Sequence, residues 1–183
     1  RRTGAKNYLR CPSQEHLPGV SVIVCAKNEA ENLNKLIPEI LNQRHSNFEL
    51  ILVNDHSSDQ TQQVVEQWAK RDPRVRTFTL KEKFKTPGKK AALSFGISQA
   101  AHDLLLLTDA DCLPASADWI DLMTSPLRAN KSVVLGYGGY IKTSGVLNSV
   151  IRFETTLTAG LFLGQALAGH PYMGVGRNLA YRK

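Results

Sequence analysis

The sequence contains few cysteines and no long apolar run. Its three cysteines, Cys11, Cys25 and Cys112, are too few and too scattered for a disulfide scaffold or a four-ligand zinc site, and they fit a reducing compartment. We expect Cys25 and Cys112 to pack as small buried side chains. No stretch reaches the roughly 20 apolar residues that a membrane-spanning helix needs. The most apolar segment, residues 157–169, is interrupted by Gln165 and predicts a core helix, with a helix at a membrane surface as the alternative.

Charged residues, glycine and proline are not abundant either. With 21% charged residues, 13 Gly and 8 Pro among 183 residues, the composition excludes disorder, collagen and a coiled coil. The 42% of hydrophobic residues suits one globular domain, which we place at residues 20–183, after a basic extension at residues 1–19. Lys and Arg number 23 against 16 Asp and Glu, and the formal charge of +7 predicts an anionic partner. Nucleic acid, a membrane surface and a phosphorylated small molecule all fit that charge.

Several catalytic sequence motifs are absent. No G-x-x-x-x-G-K-[ST] pattern surrounds Gly88, which excludes a P-loop, and neither G-x-G-x-x-G nor G-x-S-x-G occurs. A phosphatase with Asp109 as its nucleophile is a minor alternative, because its D-x-D-x-[TV] motif would need Thr or Val at the position of Leu113. The chain does not begin with Met and opens on Arg1-Arg2 without an apolar signal region, so we expect a piece of a longer protein.

Apolar runs alternate with helical patterns from Val20 to Asp111. The runs VSVIVCA, ELILVN, RVRTFTL and DLLLLTDAD predict strands, and runs that are apolar at every position indicate parallel strands covered on both faces. The segments between them predict helices, the first with a capping box of Asn28 and Glu31 and with Pro38 kinking or shortening it. This alternation predicts an α/β fold with a mostly parallel sheet and helices on both faces.

The first two predicted helices each carry an apolar stripe. The stripes of the first two helices are formed by Leu33, Leu36, Ile37, Ile40, Leu41, Val64, Val65, Trp68 and Ala69. The third helix is predicted over residues 89–101. Later segments predict a short helix at residues 119–127, an apolar GYGGY segment, a long helix at about residues 146–168 and a Gly-rich tail that ends in NLAYRK.

Polar residues follow three of the predicted strands. The strands end in the sequences AKNE, ND and DAD, and parallel strands bring these ends to one edge of the sheet, where ligands bind in α/β folds. Taken singly, Asn28 is explained as a helix cap and Asp55 as the start of an Asx-turn with Ser57. Three such strand ends together are more than the turns of a fold require.

Asp109 and Asp111 are harder to explain as turn residues. Two carboxylates at the end of a buried strand repel each other unless a cation or a proton relieves them, and oxygen ligands of this kind suit Mg²⁺ or Mn²⁺. We therefore predict a divalent metal site at Asp109 and Asp111, completed by the phosphate oxygens of a substrate.

Basic residues cluster before the third predicted helix. Lys89 and Lys90 follow Pro87-Gly88 at the helix start, where backbone N–H groups and side chains both favour an anion. Lys89 is predicted to bind one, whereas Lys90 is equally well explained as a solvated lysine. The preceding lysines predict a solvated loop face. Phe84 is the only aromatic residue among them, whereas nucleic-acid binding would favour several, and they match no nucleic-acid module. These lysines are Lys81, Lys83 and Lys85.

From about Val20 to its end, the sequence resembles glycosyltransferase family 2, the inverting enzymes with the GT-A fold. VSVIVCAKNEAENL resembles the first strand and helix of the family, and ELILVNDHSSDQT resembles its second strand. TPGKKAALSFGI resembles its G-K-x-x-A-L-x-x-G-I segment, and LLLLTDADCLP resembles its DxD motif. The four blocks in this order are highly specific, whereas DAD alone would be a weak signal.

The resemblance implies that the strand ends bind the nucleoside of a nucleotide-sugar donor. Ala26, Asn28 and Glu29 would line the base and ribose pocket. Asp55 would contact the uracil or the ribose.

The resemblance further implies a diphosphate site. Lys89 would lie near the nucleotide, Asp109 would touch the ribose or the metal, and Asp111 would coordinate a Mg²⁺ or Mn²⁺ ion that bridges the diphosphate. Such an ion neutralises the charge that develops on the departing nucleoside diphosphate.

On the acceptor side, GYGGY and MGVGRNLAYRK resemble segments of the family that border the sugar. The residues implied there are Gly138, Gly174, Gly176, Arg177 and Asn178. Ordinary turn chemistry explains these glycines equally well.

Inversion needs a general base, which the family places in an E-D or D-D motif after the segment that resembles GRNLAYRK. The chain ends at Lys183, and Glu154 is its only carboxylate after Asp121, in the predicted long helix, where a surface or ion-pair role fits better. We therefore expect the donor half of the site in this chain and the base beyond Lys183. The alternative function is a non-catalytic or truncated nucleotide-sugar-binding domain.

The expected acceptor is a saccharide or a lipid-linked molecule, and nucleic acid is not an expected partner. The expected location is the cytoplasm or the cytoplasmic side of the cell membrane, with any membrane attachment through segments outside this chain.

Overall fold

Six strands form one mostly parallel sheet in the computed structural model, which describes residues 17–80, 88–129 and 131–183. The strand order is β3-β2-β1-β4-β6-β5. The bounds are β1 Val20–Ala26, β2 Phe48–Asn54, β3 Val75–Thr79, β4 Leu104–Asp109, β5 Val133–Leu135 and β6 Asn178–Arg182. The predicted basic extension, apart from its last residues, and the predicted lysine face of Lys81, Lys83 and Lys85 lie outside the described residues.

The central strands are parallel, as the apolar runs predict. In register, β1 pairs with β2 and with β4, so that Val20 faces Phe48 on one side and Leu104 on the other. β3 adds to the outer side of β2 in the same direction. Because all four strands run the same way, their carboxyl ends meet at one edge of the sheet. The α/β fold class with a mostly parallel sheet is confirmed.

Helices cover both faces of this sheet. Alternate strand residues point to opposite faces, and the two apolar faces are packed by different helices. α1, α2 and α4 cover one face and α3 covers the other, where Gly96 lies so close to the sheet that an added Cβ would sit 2.8 Å from a methyl group of Ile23. α1 continues through Pro38 and ends three residues later. The bounds are α1 Ala30–Leu41, α2 Thr61–Arg71, α3 Lys89–Gln99, α4 Trp119–Arg128 and α5 Val146–Leu167.

The predicted capping box of Asn28 and Glu31 is wrong. Asn28 has a positive φ of 59°, and its Oδ1 accepts a hydrogen bond from the backbone N–H of Ser58 at 2.8 Å instead of capping α1. The backbone N–H of Glu29 donates to Thr61 Oγ1 at 2.8 Å. The start of α1 is therefore tied to the loop and first turn of α2, because side chains distant in sequence satisfy its free N–H groups.

Two strands at the far edge were not among the sequence expectations. β6 runs antiparallel to β4, with Leu106 facing Ala180, and β5 pairs antiparallel with β6. β5 has only three residues, and β6 contains the tail sequence NLAYR. This antiparallel edge returns the Gly-rich tail to the carboxyl end of β4.

The long helix α5 is not the core helix that its composition predicts. Its buried residues are Ala159 and Phe162, whereas Leu157 and Leu161 are 54% and 58% exposed. Within the described part of the chain, no helix is long and apolar enough to cross a membrane.

Candidate functional site

A cavity of about 420 Å³ lies at the carboxyl edge of the sheet, between the ends of β1, β2 and β4 and the start of α3. Six of the seven residues predicted to bind the donor line this cavity. They are Ala26, Glu29, Asp55, Lys89, Asp109 and Asp111. The convergence follows from the parallel order of the strands, since each residue lies at or just after a strand end or at the adjacent helix start.

Asn28, the seventh predicted residue, is exposed and does not line the cavity. Its backbone N–H donates to Ser57 Oγ at 2.9 Å, and its side chain accepts from the N–H of Ser58. Asn28 therefore holds the loop that follows β2 against the end of β1, next to Asp55.

Asp55 is almost fully buried and does not form the Asx-turn that its sequence context predicts. The N–H of Ser57, the predicted partner of Asp55, instead donates to Oδ1 of the preceding residue, Asn54, at 3.2 Å. Asp55 Oδ1 instead lies 2.9 Å from His56 Nδ1, and its backbone N–H donates to the carbonyl of Ala26 at 2.8 Å. These contacts fix a carboxylate in the wall of the cavity.

An ion pair crosses the cavity. Lys89 Nζ lies 2.6 Å from Asp109 Oδ1. Gly88, at the N-cap of α3, has a φ of 145°, a conformation that side chains rarely adopt, and it turns the chain into the helix. The start of α3, where the first N–H groups have no partner within the helix, therefore lies at the cavity, and Lys89 contacts a carboxylate at the end of β4. A ligand that carries an anionic group and a bound cation suits this combination of charges.

Asp109 and Asp111 offer two carboxylates to a cation. The turn that presents Asp111 is closed by a hydrogen bond of 3.1 Å from the Cys112 N–H to the Asp109 carbonyl. Among the described residues, no third Asp, Glu, His or Cys joins them in a cluster that could hold a metal ion. Mg²⁺ and Mn²⁺ sites commonly use one or two carboxylates and complete the shell with substrate phosphates and water. The donor set fits such an ion, with Asp111 the freer ligand because Lys89 engages Asp109.

Cys25 and Cys112 lie at the cavity walls but are not suited to nucleophilic catalysis. Both are free and only partly buried. Cys25 packs against the apolar core on the face covered by α3, which agrees with its predicted packing role although not with full burial. Burial raises the pKa of Cys25 to about 12, against the opposing effect of Lys89, and burial together with Asp111 raises the pKa of Cys112 to about 11. At neutral pH both remain thiols, whereas the thiolate is the reactive form.

A second cavity of about 430 Å³ adjoins the first and shares Asp109 and Asp111 with it. Three residues predicted for the acceptor side, Gly138, Arg177 and Asn178, line this cavity. Predicted residues Gly174 and Gly176 do not line either cavity. The structure therefore places part of the Gly-rich tail beside the carboxylates at the end of β4.

Asn178 joins the walls of the second cavity. Its Oδ1 accepts from Trp119 Nε1 at 3.0 Å, and its Nδ2 donates to the carbonyl of Tyr137 at 3.1 Å. Sequence reasoning missed Trp119, Tyr137 and Tyr140 as cavity residues. The two tyrosines of GYGGY were a visible signal, whereas the position of Trp119 depends on how α4 packs.

Close packing explains two glycines of GYGGY. A Cβ at Gly138 would lie 2.8 Å from Arg177 Nε, and a Cβ at Gly136 would lie 2.2 Å from Asn178 Nδ2. Gly138, Gly174 and Gly176 do not have positive φ angles, so turn conformation does not explain them. Gly136 and Gly138 instead leave room for the side chains of the Gly-rich tail.

Glu154 is exposed on α5 and lines a third cavity of about 410 Å³, together with Tyr137, Gly138, Tyr140 and Arg177. Its surface position agrees with the sequence expectation. The described residues provide no ion pair to Glu154.

Comparison with known proteins identifies the family of the chain. Residues 21–183 match the family model described as Glycosyl transferase family 2. A protein of Haemophilus influenzae named as an uncharacterized glycosyltransferase is 31% identical over 140 residues, which cover 74% of this chain and 42% of that protein. A poly-β-1,6-N-acetyl-D-glucosamine synthase of Staphylococcus epidermidis is 29% identical over 57% of this chain and 25% of its own length. The chain thus spans less than half the length of these relatives.

Solved structures share the fold. A mannosyltransferase, PcManGT of Pyrobaculum calidifontis, in complex with GDP-Man and Mn²⁺, aligns with a TM-score of 0.68 at 22% identity, over 97% of this chain and 48% of that chain. Residues 1–349 of S. aureus TarS, in complex with UDP-GlcNAc, align with a TM-score of 0.58 at 24% identity, over 70% of this chain and 36% of that chain. The expected GT-A fold is confirmed.

Proposed function

The chain belongs to glycosyl transferase family 2, and on that premise we propose that it transfers a sugar from a nucleotide diphosphate to a hydroxyl acceptor with inversion. The donor, a UDP-sugar, binds in the first cavity and the acceptor in the second. The observation that carries the proposal is the meeting of Asp55, Lys89, Asp109 and Asp111 around one cavity, whose two aspartates also line the next.

In this proposal the wall of the first cavity orients the nucleoside. Ala26 and Glu29 border the base and ribose, and the buried Asp55 accepts hydrogen bonds from the uracil or ribose. Asn28 contributes indirectly, because it holds the Ser57–Ser58 loop next to Asp55. A carboxylate fixed by protein contacts loses little freedom when it binds a ligand, and this favours affinity.

The opposite wall holds the diphosphate. Lys89 and the first N–H groups of α3 bind phosphate oxygens, and Asp111, with Asp109, would hold a Mg²⁺ or Mn²⁺ ion. When bound, such an ion acts as a Lewis acid that stabilises the negative charge of the leaving nucleoside diphosphate. Lys89 adds a second positive charge at that position.

The acceptor lies in the second cavity, on the other side of Asp109 and Asp111. Inversion requires a general base to take the proton of the attacking hydroxyl. Both carboxylates that line the second cavity are assigned to the diphosphate and its metal, so we place the base outside this lining. The name of the S. epidermidis relative, a polysaccharide synthase, supports a saccharide acceptor.

Calorimetric titration with UDP and with UDP-GlcNAc, in the presence and absence of Mn²⁺, tests the donor site. We expect Mn²⁺ to strengthen binding and Asp111→Asn to remove that gain. Asp118→Asn is the matched control, because Asp118 is paired with Arg44 and does not line the cavities at the sheet edge. Metal-independent binding that Asp111→Asn leaves unchanged would contradict the assignment.

A non-catalytic nucleotide-sugar-binding domain is the second candidate, since no carboxylate in the second cavity is left for the base. Release of free UDP from a UDP-sugar in the presence of acceptor separates the two. Donor binding without UDP release, in the full-length protein, would favour the binding domain.

A further inference from the structure

Arg177 carries a positive charge that the described residues do not neutralise. Its guanidinium forms no salt bridge with a described carboxylate, and its buried Nε has no hydrogen-bond acceptor. The guanidinium carbon lies 5.6 Å from the centre of the Tyr140 ring, a cation–π contact. Buried polar atoms without partners are rare in proteins, so this group requires an explanation.

The side chain of Arg177 passes close to the backbone of Gly138. An added Cβ would lie 2.8 Å from Arg177 Nε and 3.0 Å from its Cδ, so a side chain at this position would displace the arginine. The side chain is thus held between Gly138 and the ring of Tyr140, at the boundary of the second and third cavities. An arginine held in one orientation loses less freedom on binding than a free surface arginine does.

The second cavity has negative side chains on one side and a positive side chain on the other. Asp109 and Asp111 lie on the side that it shares with the first cavity, and Arg177 lies on the side that it shares with the third cavity. Glu154 also lines the third cavity but does not pair with Arg177. Trp119 and Tyr137 line the space between these charges, and aromatic side chains of this kind pack against the apolar faces of ligands.

We propose that the second cavity takes a hydroxyl acceptor that carries a phosphate or carboxylate group, and that Arg177 binds this anion. The inference rests on the proposed function, because it assigns the acceptor to this cavity. The planar guanidinium group presents paired N–H donors that bind two oxygens of a phosphate or a carboxylate with two parallel hydrogen bonds. Arg177 is therefore a residue that determines which acceptors bind.

Fluorescence of Trp119 tests the proposal. A Trp68→Phe background leaves Trp119 as the single tryptophan, in the wall of the cavity. In the presence of saturating UDP and Mg²⁺, the chain is titrated with α-glucose 1-phosphate, glucuronate and methyl α-glucoside. We expect one of the anionic probes to bind at least about tenfold more tightly than the neutral glucoside, as a charged hydrogen bond allows. The preferred probe distinguishes phosphate from carboxylate.

Variants of Arg177 then test whether this residue causes the tighter binding of the anionic probe. Arg177→Gln should bring the ratio of anionic to neutral affinity close to one, and Arg177→Lys should retain part of it. Arg152→Gln on α5 is the matched control, because Arg152 does not line the second cavity. Equal binding of all three probes to the unmodified chain, or an anion preference that survives in Arg177→Gln, would overturn the proposal.

Titration with UDP distinguishes a failure of this inference from a failure of the proposed function. Arg177→Gln should bind UDP as the unmodified chain does, which also shows that the variant is folded. If UDP affinity falls in Arg177→Gln, the arginine serves the donor and the inference is wrong. If the unmodified chain does not bind UDP, the proposed function itself fails.

Discussion

Lys89 Nζ lies 2.6 Å from Asp109 Oδ1, so the first residue of α3 is joined to the last residue of β4 across the first cavity. The pair balances the charge of Asp109 and leaves Asp111 free for a cation. This arrangement makes Lys89 the first residue to test.

Lys89→Gln should weaken UDP binding at least about tenfold, because a charge-assisted hydrogen bond to the diphosphate is lost. Calorimetry in Mn²⁺ measures the effect. Lys90→Gln is the matched control: Lys90 is the next residue, it is exposed, and it does not line the cavity. An equal loss of affinity in both variants would mean that the general positive charge of the loop matters, and not the position of Lys89.

Gly138→Ala should destabilise the protein by about 1–3 kcal/mol, because the added methyl group displaces Arg177 and overpacks the wall of the second cavity. Urea denaturation measures the change. Gly176→Ala is the control, since an added Cβ there meets no atom within 4 Å and the backbone φ is not positive. It should be neutral, or stabilising by a few tenths of a kcal/mol. Equal effects of the two substitutions would refute the packing argument.

The lowered pKa of Glu49 predicts that the free energy of unfolding depends on pH. Burial alone would raise the pKa of Glu49, but hydrogen bonds from Ser21 at 2.6 Å, Arg76 at 2.6 Å and the Ala101 N–H at 2.7 Å hold this pKa below its usual range. The ionised carboxylate therefore stabilises the fold above the pKa of an unfolded glutamate, about 4.3. That contribution is lost as the pH falls through the lower pKa of the folded state.

Glu49→Gln should therefore lower the free energy of unfolding by about 1–3 kcal/mol at pH 7, as expected for hydrogen bonds to a charged group. The difference from the unmodified chain should shrink as the pH falls below about 4, where Glu49 becomes protonated. Thermal unfolding of both proteins between pH 3 and pH 7 checks this, and a difference that does not change with pH would contradict it.

The raised pKa values of Cys25 and Cys112 predict that these thiols are alkylated slowly. A pKa of about 12 for Cys25, against about 8.5 for a free thiol, lowers its thiolate fraction at pH 8 by roughly a thousandfold. Reaction with iodoacetamide, followed by peptide mass spectrometry and compared with glutathione, measures the rate. The rate at Cys25 should still rise with pH above pH 10, whereas a plateau near pH 9 would show an ordinary thiol.

The donor side of the site could be predicted from the sequence because local patterns determine it. β-branched and leucine-rich runs specify the strands, and parallel strands necessarily bring their last residues to one edge. Asp55, Asp109 and Asp111 follow such runs directly, so their meeting required only the strand directions. Lys89 required only a helix start after Gly88.

Details that depend on one residue of register were not predictable. Asn54 and Asp55 are adjacent and both have a side-chain oxygen that can accept from the Ser57 N–H. The end of β2 decides that Asn54 accepts this hydrogen bond while Asp55 faces the cavity. Asn28 has a positive φ, which asparagine tolerates, so it binds the Ser58 N–H instead of capping α1. Local capping signals do not reveal such a long-range contact.

The antiparallel edge was missed for a different reason. β5 has three residues, and β6 mixes polar and apolar residues without a long run, so neither gives a strong strand pattern. Their pairing depends on contacts with β4, far away in sequence. The helix α5 was misread as buried because its composition is apolar on several faces, while only Ala159 and Phe162 have partners deep enough to bury them.

The antiparallel pairing of β6 with β4 also bears on the order in which the two cavities form. All residues that line the first cavity lie between Cys25 and Asp111, in the first four strands and the helices between them. The second cavity needs Arg177 and Asn178, which reach β4 only after the long segment between Leu106 and Ala180 has closed on itself. Proteins emerge from synthesis with their N-terminal part first. A growing chain therefore has all the residues of its nucleotide pocket before the residues that complete the acceptor pocket have been added.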